Sequence, residues 1–118
     1  SEDGLDEISI ASPTFVIEMK DGDISEYTIS PEDFNFKTST LNGLRVNSPE
    51  ESLNLVKLAL VDKHLEASSM ISMAAGAALY VSEVSSSLEA GILLANECVK
   101  DGGGIEKLNQ LVEYTSKF

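Results

Sequence analysis

The chain has 118 residues, 42% of them hydrophobic, enough for one domain with a modest core and no metal or disulfide support. Its 20 acidic residues against 8 basic ones give a formal net charge of -12, a field that repels nucleic-acid phosphates and anionic lipid and so predicts neither nucleic acid nor membrane as a partner. Cys98 is the sole cysteine, which excludes an internal disulfide framework and fits a reducing, cytoplasmic setting, and the longest mainly apolar stretch, Met70 to Val81, is too short to span a bilayer.

Residues 1 to 36 read as strand-rich. Ile8 and Ile10 alternate with Ser9, and the alternating runs Thr14 to Met19 and Ile24 to Ile29 flank Asp21-Gly22, a pair that favours the tight turn of a β-hairpin. Residues 37 to 49 carry turn formers without a sustained period and are predicted to connect. From 50 to 118 the period becomes helical. Glu50-Glu51 suits a helix start, and Leu53, Val56 and Leu60 form one stripe, ending near Asp62. Ser68 to Val81 is apolar nearly all round, which predicts a central buried helix whose Ala74-Ala75-Gly76-Ala77-Ala78 run admits a close neighbour. Ser86 and Glu89 have the spacing of a capping box before a stripe of Leu88, Ile92, Ala95 and Val99. After Asp101-Gly102-Gly103-Gly104 a last helix turns Ile105, Leu108, Leu111 and Val112 inward. The expected fold class is α/β: a strand-rich first third with a hairpin, then about four helices, forming part of a larger sheet-and-helix domain.

Few residues suggest chemistry by type and spacing. Adjacent carboxylates at Asp6-Glu7 offer hard oxygen ligands to a magnesium ion that keeps waters and bridges to phosphates; from spacing alone a solvated strand entrance is the better account of the pair. The glycines after Asp101 lack the preceding strand and following lysine of a nucleotide loop and read as a helix-to-helix link. His64, the only histidine, falls just past the first helix, where a charged ring is favourable. Cys98, Tyr80, Met70 and Met73 read as packing residues.

The string Gly4-Leu5-Asp6-Glu7-Ile8-Ser9-Ile10 followed by Ser12-Pro13-Thr14 resembles the acidic metal segment of anthranilate phosphoribosyltransferases, in the glycosyltransferase family 3 and class II nucleoside phosphorylase-like fold. The resemblance continues in order through Asp21-Gly22, Tyr27-Thr28-Ile29, Pro31-Glu32-Asp33-Phe34, Ala74 to Val81 and Ser87-Leu88-Glu89-Ala90-Gly91, essentially the whole chain. Where the family usually has Thr-Gly before its Pro-Thr element this chain has Ala11-Ser12, and Met73 stands where an Asn usually precedes the alanine run.

The resemblance implies that residues 1–118 form the carboxy-terminal part of the α/β domain. It implies transfer of the phosphoribosyl group of phosphoribosyl pyrophosphate to the amine of anthranilate, in tryptophan biosynthesis, with Asp6 and Glu7 as Mg2+ ligands. The phosphate loop and the anthranilate site would be supplied by an amino-terminal portion of the same enzyme, a homodimer when complete, and the isolated chain is expected to be inactive. The competing expectations are a non-catalytic acidic α+β interaction domain and a class II nucleoside phosphorylase.

Overall fold

The computed structural model describes residues 1–118. A hairpin of β1 (Thr14–Lys20) and β2 (Asp23–Ile29) is followed by α1 (Pro49–Ala59), α2 (Leu65–Val81), α3 (Leu88–Lys100) and α4 (Gly103–Thr115), the α/β arrangement of a hairpin and four helices that the sequence predicts. The strands pair antiparallel from Thr14 with Ile29 to Lys20 with Asp23. Asp21 and Gly22 both have positive φ, 53° and 89°, as a type I′ turn demands.

Cross-strand partners share a face, so Phe15, Ile17 and Met19, with Ile24 opposite Met19, form one side of the hairpin. That side is uncovered, at 58, 63, 76 and 69% exposure respectively. The other side carries Val16, Glu18, Tyr27 and Ile29 towards the helices. Residues 8 to 10 form no strand. Ser9 and Ile10 are buried, but their backbone groups bind loops: Ser9 N–H donates to Thr14 Oγ1 and Ile10 C=O accepts from Ser39 N–H.

The core lies where α2 crosses α3. Gly76 of α2 meets Ile92 of α3, and Gly91 of α3 meets the Gly76 carbonyl, at distances that leave no room for a β-carbon. Met73, Ile92, Ala95 and Val99 fill the space around this crossing. Helix α1 joins through a hydrogen bond from Ser68 Oγ to the Ala59 carbonyl, 2.9 Å.

Side chains set the helix starts. Ser48 Oγ accepts from Glu51 N–H, and Ser87 Oγ, one residue beyond the Ser86 expected from spacing, accepts from Ala90 N–H. His64 stands at the start of α2, where its Nδ1 accepts from Ala67 N–H at 3.3 Å and caps the helix. His64→Ala is expected to lower the unfolding free energy by about 1 kcal/mol, as loss of an N-cap does, and His64→Asn, whose amide oxygen fits the same role, to restore most of it in urea denaturation.

Two expectations are corrected. Cys98 is exposed, with Val99 taking the inward position. Helix α4 leaves Leu111 and Val112 exposed and Ile105 and Leu108 only half-buried, so its stripe has the right period but lacks a cover over its second half. Leu53 and Val56 of α1 are exposed too. The total surface reflects this: 7865 Å² is exposed, whereas a compact monomer of this mass exposes about 6,200 Å². The Cα radius of gyration is 15.2 Å against about 13.5 Å for a compact domain of this length. No helix is long and apolar enough to cross a membrane.

Candidate metal-binding turn

Asp6 and Glu7 sit in an irregular turn before β1, and its shape comes from residues around them. Gly4 has φ 88°, a conformation that glycine reaches without strain. Across it, Asp3 Oδ1 accepts from Leu5 N–H at 3.1 Å and from Ser1 Oγ at 2.5 Å, while Oδ2 accepts from Ser9 Oγ at 2.5 Å. Glu2 N–H donates to the Pro13 carbonyl at 3.0 Å and Asp3 N–H to Ser12 Oγ at 3.1 Å, closing the base of the loop. Hydrogen bonds from the Ser1 and Ser9 hydroxyls and the Leu5 N–H hold the Asp3 carboxyl well below the usual carboxylate range.

Asp6 and Glu7 themselves are exposed, and neither carboxylate accepts a hydrogen bond or pairs with a cation. No group of three or more His, Cys, Asp or Glu side chains converges here or elsewhere. The donor set therefore does not fit a cation held by protein alone, such as structural zinc. It does fit magnesium, which takes one or two carboxylates and completes its shell with water and substrate phosphates.

Ile8, the next residue after Glu7, lines a cleft of about 740 Å³ between the inner side of the hairpin and the adjoining ends of α2 and α3. One polar knot spans it. Glu18 accepts from Tyr80 Oη of α2 at 2.5 Å and from Tyr27 Oη at 2.9 Å, and Lys20 Nζ lies 5.2 Å from the centre of the Tyr80 ring. The bonds from Tyr80 and then Tyr27 lower the Glu18 pKa from its ordinary 4.5; burial and Glu18 push Tyr27 up to about 12, and Glu18 raises Tyr80.

The depressed carboxylate contributes to hairpin docking above its ordinary pKa, and that contribution is lost as pH falls through the lowered folded value. The raised phenols contribute below their ordinary value of 10.0 and lose it as pH climbs through the folded values. Docking is therefore expected to weaken at both extremes, read from tyrosine near-ultraviolet circular dichroism. Tyr80→Phe is expected to speed amide exchange across β1 and β2 at fixed pH while α2 and α3 keep theirs; unchanged hairpin exchange would rule out the tether.

The remaining candidates resolve as structure. Gly102, in the left-handed conformation, starts α4 as a helix-to-helix link. Glu32 and Asp33 brace their turn by bonds to Thr38 and to Ser30 N–H. Sequence reasoning missed Asp3 and Glu18. The Asp-Gly step at residues 3 and 4 signals a turn closed by the aspartate side chain, and Glu18 shares its strand parity with the inward Val16.

Residues 1–105 match the model for the glycosyl transferase family, a/b domain, and the chain belongs to that family of sugar-transferring enzymes. Within it, the chain is similar to anthranilate phosphoribosyltransferases. It is 48% identical over its whole length to that of Ectopseudomonas mendocina, of which it covers 35%. The crystal structure of the Thermus thermophilus anthranilate phosphoribosyltransferase superposes with a TM-score of 0.84 and 27% identity, over 95% of this chain and 33% of that one. A variant of the Saccharomyces cerevisiae enzyme with magnesium bound gives 0.79 at 18% identity, over 100% of this chain and 35% of that one, and so shares the fold. The chain spans about a third of the length of the curated relatives it matches.

Proposed function

We propose that residues 1–118 form the carboxy-terminal part of the α/β domain of an anthranilate phosphoribosyltransferase and supply the ligands for its magnesium ion. The observation that carries this reading is the pair of exposed, unengaged carboxylates at Asp6 and Glu7, set in a chain that aligns from end to end with such enzymes, at 48% identity to that of Ectopseudomonas mendocina.

In the reaction the anthranilate nitrogen bonds to carbon one of phosphoribosyl pyrophosphate, the bond from that carbon to pyrophosphate breaks, and the nitrogen gives up a proton. Magnesium, when bound, neutralises charge that develops on the departing pyrophosphate. Asp6 and Glu7 act as ligands and transfer no proton. Alignment of the two substrates supplies much of the remaining rate, and the basic groups that grip phosphate come from the amino-terminal portion of the same enzyme.

That portion also supplies what would cover the hairpin. The surplus over a compact monomer is roughly 1,700 Å², about twice what each partner of a standard interface buries. Phe15, Ile17, Met19 and Ile24 supply an apolar centre for such an interface.

The test mixes this chain with the amino-terminal portion of an anthranilate phosphoribosyltransferase and follows phosphoribosyl anthranilate formation. Activity in the mixture, and none from the chain alone, is the expected result. An assembled mixture without activity would leave an interaction domain as the reading.

A further inference from the structure

We infer that Asp3 positions the Asp6-Glu7 pair for its cation, an assignment that rests on the metal role proposed above. The pair has no side-chain bonds of its own, so its geometry is that of the backbone beneath it. Asp3 fixes that backbone on both sides. Its Oδ1 holds Leu5, directly before the pair, and its Oδ2 holds Ser9, two residues after it. Ser9 is fully buried; its Oγ also accepts from Ala11 N–H at 2.9 Å, and its N–H donates to Thr14 Oγ1 at 3.4 Å, which anchors the bridge to the start of the hairpin.

Asp3 is not a third ligand: its side chain does not converge with those of Asp6 and Glu7 into a group of three that could hold a metal. Three hydrogen bonds, from Ser1 and Leu5 to Oδ1 and from Ser9 to Oδ2, turn it into the loop. Asp3 therefore acts on the cation through the loop. Groups that orient metal ligands in this way change affinity by about 10- to 100-fold when removed.

The test uses Mn2+ as a paramagnetic stand-in and reads broadening of the backbone amide signals of residues 5 to 8 in the full chain. Asp3→Ala and Ser9→Ala are each expected to require about 10-fold more Mn2+ for equal broadening, with the Mn2+ response at Glu50 and Glu51 unchanged. A merely structural role would lower the melting temperature and leave the Mn2+ requirement where it was. Ser9→Ala keeps the Asp3 charge and cuts one end of the bridge, so it separates positioning from simple attraction. Should Asp3→Ala fail to fold, Ser9→Ala and the isosteric Asp3→Asn carry the measurement. An unchanged Mn2+ requirement in the bridge variants, with local broadening abolished in Asp6→Ala/Glu7→Ala, overturns the role of Asp3 alone. Undiminished broadening in the double variant overturns the metal role as well.

Discussion

Asp6→Ala/Glu7→Ala is expected to reduce turnover of the reassembled transferase by about 100- to 1,000-fold, the usual cost of removing a group that stabilises transition-state charge. Both side chains are exposed and bond to nothing in the chain, so folding and assembly should survive the change. The loss should fall on turnover more than on the Michaelis constant for anthranilate, because the charge being neutralised develops on pyrophosphate at the far side of the reacting carbon. Each single variant keeps one carboxylate and should be rescued in part by added magnesium; the double variant should not. Steady-state assays across a magnesium series check this. Turnover that stays within a few-fold of the unaltered mixture would remove the pair from the reaction.

Gly76→Ala is expected to destabilise the chain by about 2 kcal/mol net, and the sign is the informative part. In an ordinary helix, replacing glycine by alanine gains about 1 kcal/mol. Here a β-carbon at Gly76 would lie 2.4 Å from Ile92 Cα and 2.5 Å from its nitrogen, and one at Gly91 would lie 2.3 Å from the Gly76 carbonyl oxygen. These are backbone atoms and cannot rotate aside, so α2 and α3 must separate at the point that organises the core. Overpacking of this kind costs about 3 kcal/mol or more against backbone, which exceeds the propensity gain. Urea denaturation of Gly76→Ala reads the difference. A variant as stable as the original would mean that the helices do not cross at these glycines.

Much of this arrangement was legible in the residues. Asp21-Gly22 between alternating runs specified the hairpin through a backbone requirement that few residue pairs meet, and the Ala74 to Ala78 run marked the close crossing through size. Local chemistry of this sort depends on few distant partners. The stripe of α4 has the period the sequence predicts, yet Leu111 and Val112 do not face inward, since a period names the face to be covered without supplying the cover. Ile8 to Ile10 alternates like a strand, but Ser9 is bound to Asp3 and Thr14 and no neighbouring strand is in reach. The contact of Glu18 with Tyr80 joins residues 62 positions apart and leaves no local signature. As for the acidic turn, spacing alone found only two neighbouring carboxylates. Their proposed role as ligands comes from the resemblance, and the Asp3 bridge that shapes the turn is visible only in the folded chain.

With the partner proposed above, the uncovered side of the hairpin would also make stability a shared property. A partner that closes over Phe15, Ile17 and Met19 binds the folded chain and not the unfolded one, so folding and association draw on a single equilibrium. At a free partner concentration one hundred times its dissociation constant, that linkage adds about 2.7 kcal/mol to the folded state. The melting temperature of these 118 residues is then a function of how much partner surrounds them, and dilution alone is enough to lower it.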